Sequence, residues 1–394
     1  MFRALTIALL LPMGVATASA QDFNACVRAL RGEAIAQGVS ARTFDSALAG
    51  VAFDQTVVDA MENQPEFTIP VWDYLSSLVD EQRIADGRER IAEWSAVLAD
   101  IERQFGVDRH IVVAVWGVET DYGRRTGTRA IVSSLATASC AGGRRQYFRG
   151  ELVAALRIVQ AGDLPVSALK GSWAGAFGQT QFMPSTFHRS AVDFDGDGRR
   201  DIVGSVPDSL ASAANYLKNA GWATGEAWGY EVALPEKYRG PSGRRNRRAL
   251  SEWSALGIRR ADGAPLAGGG RAALLLPAGA EGPAFLVFRN FNAIFSYNAS
   301  VSYALSIAHL ADRLRGGGPF RAEWPTDDPG LSRAERRELQ ALLIEQGHDL
   351  GEVDGIIGGR TRAAIRAFQE AAGLAVDGYP GQRVLRALRA APSP

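Results

Sequence analysis

Apolar residues recur at three- and four-residue spacing through much of the chain between Asp22 and Arg315, which predicts a mainly α-helical domain. The pattern is clear from Ile91 to Phe105, from Glu151 to Gln160 and from Val301 to Leu314, where Ala304, Leu305, Ala308 and Leu310 share one broad apolar face. The texture changes between about Gly221 and Asn290. Short apolar runs alternate there with turn residues, and Tyr230–Leu234, Ala272–Leu276 and Ala284–Phe288 read as strands of a small β subdomain inserted in the helical one. Pro241–Arg248 and Gly268–Gly270 read as exposed loops. Gly316-Gly317-Gly318-Pro319 opens a linker that runs to about Gly330. Beyond it, Ser332–Glu335 fits a capping box for a helix that stops near Gly347. Thr361 caps a second helix, with Ala364, Ile365 and Phe368 on its apolar face. A third begins near Pro380 and carries Val384, Leu385 and Leu388. Roughly sixty residues suffice for such a three-helix bundle.

The N-terminus adds a compartment. Arg3, the apolar run Leu5–Leu11 and the small residues Ala18-Ser19-Ala20 have the layout of a secretory signal peptide with cleavage before Gln21. The expected division is therefore 1–20 leader, 21–315 main domain, 316–330 linker and 331–390 C-terminal module. No apolar stretch reaches the ~20 residues of a membrane helix, and Cys26 lacks a lipobox before it, so no membrane anchor is expected. Acidic and basic residues balance at 43 each, so no global field draws the chain to nucleic acid. Cys26 and Cys140 either pair after export or remain two buried thiols; an oxidising compartment favours pairing. His110, His188, His309 and His348 form no zinc motif, and no nucleophile elbow is present, so a metallopeptidase or serine hydrolase is disfavoured.

Four segments carry candidate chemistry. In the first, Asp108 is placed to cap a helix in which Ile111–Val118 is apolar on every face, with Glu119 at its end and Gly123 suited to stopping it. A carboxyl group emerging from such surroundings has its pKa raised and is able to act as a general acid; the other reading is a structural Glu in a last turn. In the second, Gly171-Ser172-Trp173-Ala174-Gly175-Ala176-Phe177-Gly178 leads into Gln179–Thr186, either a sugar-binding wall of backbone, hydroxyl and amide groups or a tight structural loop. The third, Asp193–Asp201, starts like a calcium loop with Asp193, Asp195, Asp197 and Asp201 as candidate ligands. Gly204 stands where a bidentate Glu belongs and two arginines intrude, so a carboxylate-rich turn is the alternative. The fourth, Asn290–Ala304, offers Tyr297, Asn298 and Tyr303 as flat faces with polar tips for sugar rings, or as core tyrosines.

Taken together, the order and spacing of Gln64-Pro65-Glu66-Phe67, Gly117-Val118-Glu119-Thr120, Gly171–Ser185, the Asp193 loop and Tyr297-Asn298…Tyr303 resemble the MltB-like lytic murein transglycosylases over roughly Phe23–Arg315. The resemblance implies a lysozyme-like, mainly α fold with a small β subdomain. It implies Glu119 as sole catalytic acid/base, and a saccharide cleft lined by Ser172, Gln181, Tyr216, Tyr297, Asn298 and Tyr303, with Tyr74 a further cleft aromatic. It also implies cleavage between N-acetylmuramic acid and N-acetylglucosamine with closure of a 1,6-anhydro ring, in cell-wall remodelling or turnover, with no cofactor required and calcium at the Asp193 loop in some members. The C-terminal segment, through Asp354-Gly355-Ile356-Ile357-Gly358, Thr361–Ile365 and Phe368-Gln369, resembles the three-helix peptidoglycan-binding domain. The expected partner is the peptidoglycan glycan strand in the periplasm, with cell-wall synthesis or division proteins left open. A lysozyme-type hydrolase on the same fold and an inactive wall-binding scaffold are the competing readings.

Overall fold

The computed structural model describes residues 20–62, 70–268, 270–328, 330–331, 333–355 and 357–392. The leader up to residue 19, Gln64–Phe67 and the Ser332 cap lie outside the described residues. Among the described residues, no helix is long and apolar enough to cross a membrane.

Two helical cores lie side by side. The first is built on the helix Arg109–Thr120, whose residues from Ile111 to Gly117 are all buried. Helices Glu81–Glu93, Val206–Asn219 and Val301–Leu314 surround it, as its apolar girdle requires, and Val71–Leu78 packs on the last of these. The second core gathers Ala20–Ala36, Ala41–Ala47, Ile131–Cys140, Arg145–Ala161 and Pro184–Ser190. Cys26 and Cys140 are joined in a disulfide within it, so the paired reading holds. Tyr216 and Tyr297 pack against both cores and mark the seam between them.

The helical run Ile91–Phe105 is interrupted. One helix ends at Glu93 and another starts at Ser95, with Trp94 serving as the cap of both. Gly106, in left-handed backbone at φ 70°, then stops the second.

The β subdomain is a five-stranded antiparallel sheet in the order Arg247–Ala249, Arg271–Leu275, Ala284–Val287, Gly229–Ala233, Arg259–Arg260. Its central strands read as continuous apolar runs because both faces are covered. Ala273, Leu275, Phe285 and Val287 face the first helical core, while Ala272, Leu274, Ala284 and Leu286 face a smaller cluster around Trp253. The first edge strand overlaps the end of the stretch expected to be loop, at Arg247 and Arg248, residues too polar to signal a strand.

The linker after Gly316 packs on the main domain. Phe320 stacks on His309 at 3.9 Å and meets Phe285 edge-on at 4.7 Å, and Glu231 accepts the backbone amides of Arg321 and Ala322. Three helices follow, Arg333–Glu345, Gly359–Ala371 and Gln382–Ala390, around Leu339, Leu343, Ile365 and Leu385. Thr361 does not cap the second; Gly358 does, and Thr361 is buried in the first turn. Two equivalent clasps close the turns. Gln340 receives the Gly355 amide and donates to Asp354, and Gln369 receives the Gly378 amide and donates to Asp377. The module is docked on the β subdomain: Asp377 accepts the Ala280 amide at 3.2 Å and Arg383 pairs with Glu281 at 2.8 Å.

Candidate active site

Asp108 starts the central helix, accepting the His110 amide at 2.8 Å, and pairs with Arg315 at 2.8 Å. Burial works against its charge, but His110 and Arg315 outweigh it and hold the carboxyl well below the usual range. At the other end the chain reverses abruptly. Asp121 and Tyr122 both take left-handed backbone (φ 53° and 59°), an arrangement that costs a non-glycine residue ~1 kcal/mol or more each. The reversal lays the Tyr122 ring over Gly117, where a Cβ would lie 2.7 Å from the ring, so only glycine is tolerated there. Tyr122 packs edge-on to Trp116 at 5.7 Å and donates to the Arg83 carbonyl.

This fixed helix end presents Glu119. Its carboxyl Oε1 accepts a short hydrogen bond from the Tyr303 hydroxyl. Loss of hydration pushes the carboxyl up to about 7, and the Tyr303 hydrogen bond pulls against that rise. Its position in the last helical turn, where the macrodipole disfavours an anion, acts in the same direction as desolvation. Tyr303 and Tyr297 are themselves driven well above the ordinary phenol range, first by burial and then by the Glu119 charge, so both remain hydroxyl donors. Asp121, the nearest acid in sequence, is turned away toward Arg83 (3.7 Å) and Arg124 (3.2 Å).

An aromatic wall continues from Tyr303. Tyr297 stacks with it at 6.3 Å, Tyr216 meets Tyr297 at 4.7 Å, and Phe182 lies about equally far from both Tyr216 and Tyr297, at 6.0 and 5.9 Å. The tips are pinned: Tyr297 donates to the Thr180 carbonyl and Tyr216 to that of Ser296. Tyr74, on the helix Val71–Leu78, lies close enough to Tyr303 to oppose ionisation of its hydroxyl. Asn298 ends its helix in an exposed position.

The glycine-rich segment is a folded loop. The Ser172 amide donates to the Ala176 carbonyl at 2.8 Å, and the Ser172 hydroxyl accepts the Ala176 amide at 3.0 Å. A Cβ on Gly171 would sit 2.0 Å from the Ala176 carbonyl oxygen, so the close approach inferred for this glycine is to its own loop. Gln181, in left-handed backbone at φ 51°, donates to the carbonyls of Thr126 and Gly178, and thereby ties this loop to the turn after Glu119. The structure thus brings Glu119, Tyr303, Tyr297, Tyr216 and Tyr74 together, with Gln181 one turn away. Ser172 stands farther along the loop with its hydroxyl engaged.

At the Asp193 loop, carboxylate oxygens of Asp193, Asp195 and Asp197 converge within 4.8 Å. Asp201 is not part of that group; its Oδ1 accepts the amides of Val203 and Gly204. Asp197 is paired with Arg199 at 2.9 Å. With one carboxylate neutralised, one diverted and Gly204 supplying no side chain, the set fits a calcium ion poorly. The organiser of the loop is Asp208, which is not among the candidates drawn from the sequence. Fully buried, it accepts the amides of Phe194, Asp195 and Asp201. Its signal lies in Ser205-Val206-Pro207-Asp208, a helix start with cap, proline and first-turn acid.

Residues 22–312 match the family model described as a transglycosylase SLT domain, and residues 332–388 match that of a putative peptidoglycan binding domain. The chain is 36% identical over 211 residues to membrane-bound lytic murein transglycosylase B of Escherichia coli strain K12. That match takes in 52% of this chain and 56% of the relative, so the chain spans little more than half the length of the curated relative it matches. It is similar to SltB3 of Pseudomonas aeruginosa, solved in complex with NAG-anhNAM-pentapeptide, at a TM-score of 0.90 and 48% identity over 94% of this chain and 100% of that one. Escherichia coli Slt35, solved in complex with calcium, aligns at a TM-score of 0.66 and 28% identity over 74% of this chain and 92% of its own. With a family match over most of its length, the chain belongs to the transglycosylase SLT domain family and carries a C-terminal domain of the peptidoglycan-binding family.

Proposed function

We propose that this protein is a lytic transglycosylase that cuts peptidoglycan glycan strands between N-acetylmuramic acid and N-acetylglucosamine. The observation that carries the reading is Glu119, a carboxyl pushed up to about 7 at the end of a buried helix and held by Tyr303. Near neutral pH a large share of such a group stays protonated and serves as a general acid. Tyr303 occupies Oε1, which leaves Oε2 to carry the transferable proton. Glu119 gives that proton to the glycosidic oxygen, and the substrate's acetamido group stabilises the positive charge at C1. The ionised carboxylate then takes the proton of the muramoyl C6 hydroxyl as that oxygen closes on C1. The product is a 1,6-anhydro end, and Glu119 is again protonated. The orientation of Asp121 toward its arginines supports a scheme without a second enzyme carboxylate, unlike the two-carboxylate glycosidases. No cofactor takes part, and the Asp193 loop has no step in it.

The stacked tyrosines are proposed as the sugar platform, with Gln181, Ser172 and Asn298 as polar contacts along it. The docked C-terminal module is proposed to hold the enzyme on its insoluble substrate at high effective concentration. Export through the leader at residues 1–20 places this activity in the periplasm.

Mass spectrometry of soluble products from purified peptidoglycan, with the mature protein and its Glu119→Gln variant, tests the reading. Anhydromuramoyl ends from the first and none from the second are expected. Reducing ends would establish a hydrolase instead, and equal activity of both proteins would remove Glu119 from the chemistry.

A further inference from the structure

The chain is neutral overall, but its charge is unevenly distributed. Between Arg239 and Arg271 the sequence holds eight arginines against two acids, Glu252 and Asp262. Both acids are engaged locally: Glu252 lies 3.9 Å from Arg248, and Asp262 pairs with Arg260 at 2.6 Å. Arg239 reaches Glu370 of the C-terminal module at 3.5 Å. The remaining arginines leave this segment of the β subdomain with positive charge in excess.

One of them is built into place. The Asn246 amide bonds back to the Gly243 carbonyl at 2.9 Å, closing a turn with Arg244 and Arg245 at its corners, and the Gly243 amide anchors that turn to Leu274 of the sheet at 2.7 Å. Arg244 lies over the ring of Phe295 at 3.8 Å and donates from Nη1 to Asn292 Oδ1 at 2.8 Å. Asn292 is itself oriented by a bond from its amide nitrogen to the Phe288 carbonyl. Phe295 and Asn292 belong to the helix Arg289–Asn298, which ends at Tyr297 and Asn298 of the candidate cleft. Among the described residues, neither Arg244 nor Arg245 has an ion pair, and Nε and Nη2 of Arg244 have no protein acceptor. A planar fork held on one side by a ring and an amide, with its other edge free, is the arrangement that receives a carboxylate through two parallel hydrogen bonds. The charge continues beyond it. Tyr238 lies within reach of both Arg248 and Arg366, the latter on the C-terminal module. Basic side chains thus stand both against the cleft helix and beside the C-terminal module.

We propose that Arg244, with Arg245 beside it, is a receptor for carboxylates of the peptide stems borne by the glycan strand, and makes the protein favour stem-bearing over stem-free strands. This rests on the functional reading above for the identity of the strand. Arg244 is a specificity residue here; it has no part in bond cleavage.

The test uses full-length protein carrying Glu119→Gln, to prevent turnover, with and without Arg244→Gln. Calorimetry measures affinity for soluble glycan fragments bearing their stems and for the same fragments stripped of stems by an amidase. The expected result is a preference of about tenfold for stem-bearing fragments, which a single charge-assisted pair is able to supply. Arg244→Gln should collapse that preference toward one, and Arg244→Lys should restore it only in part because an ammonium has no fork. An unchanged preference in Arg244→Gln, or no preference in the parent, would overturn the proposal. An equal loss on both fragments would also overturn it, since that reports damage to the fold or to glycan binding. Anhydro-end formation by the protein with Glu119 intact is measured separately on stem-bearing strands. Failure there would count against the transglycosylase reading and leave the affinity comparison standing.

Discussion

Replacing Glu119 with Gln should cost activity and gain stability, and the gain should depend on pH in a way that isolates the cause. In the fold the carboxyl titrates at about 7, raised from 4.5 by desolvation against the pull of Tyr303. A raised carboxyl pKa means that the unfolded chain gives up its proton first as pH rises. Between pH 4.5 and 7 stability therefore falls, and above 7 the full cost of holding a charge in a poorly hydrated site is present. For a displacement of this size the cost is on the order of 3 kcal/mol at pH 8 and close to nothing at pH 4. Gln keeps the shape and accepts the Tyr303 hydroxyl but never ionises, so Glu119→Gln should be stabilised by up to that amount at pH 8 and by little at pH 4. In a domain of this size that corresponds to a rise in Tm of roughly 6 °C. The loss of a general acid should lower kcat by ~10²–10⁴-fold or more. Urea unfolding of both proteins at pH 4, 6 and 8 supplies the stability difference at each pH. A difference that is the same at all three would refute the reasoning, because it would show that ionisation of Glu119 is not what the substitution removes.

Tyr303→Phe removes the one hydrogen bond that favours the charged form of Glu119, so the alkaline limb of the kcat/KM profile should move up by about 1 pH unit while the maximum falls; an unmoved limb would mean that Tyr303 does not act on the acid. Gly171→Ala forces a Cβ to within 2.0 Å of the Ala176 carbonyl and should lower kcat/KM and loosen the Ser172 loop to proteolysis, whereas Gly150→Ala, with nothing within 4 Å, should slightly stabilise its helix; similar behaviour of the two would show the loop to be pliant. Removing the Cys26–Cys140 bond, which spans 114 residues, by replacing both with Ala should destabilise the second core by about 4–5 kcal/mol in urea melts, and a change under about 1 kcal/mol would mean that the unfolded chain is already constrained.

The local elements are legible in the sequence because their signals are local. The all-round apolar run Ile111–Val118 marks a buried helix, and the apolar runs at 272–276 and 284–288 mark covered strands. Where the fold departs from the pattern, the cause is packing between distant residues or a competing local signal. The periodic segment breaks at Trp94, between a helix that packs on Arg109–Thr120 and Val301–Leu314 and one that packs chiefly on Val206–Asn219. Thr361 is buried at a position where a surface cap is expected, since Gly358 already starts that helix. The linker is packed down because Phe285 and Glu231, far away in sequence, and His309 on the preceding helix form its bed.

By itself the sequence determined the mainly α class, the inserted strands, the C-terminal bundle and Glu119 as the carboxyl to watch, all of which are written in periodicity, turn chemistry and motif spacing. Only the tertiary structure decided what Glu119 is. Its titration depends on water excluded by two packed cores and on a hydroxyl 184 residues away, and neither is a property of the Gly117–Thr120 segment. The same holds for Asp201, a carboxylate placed by its spacing among metal ligands and turned by the fold to two backbone amides. Spacing along a chain fixes which groups are able to meet; desolvation and hydrogen-bond geometry, which exist only after the chain has packed, fix what each group does there.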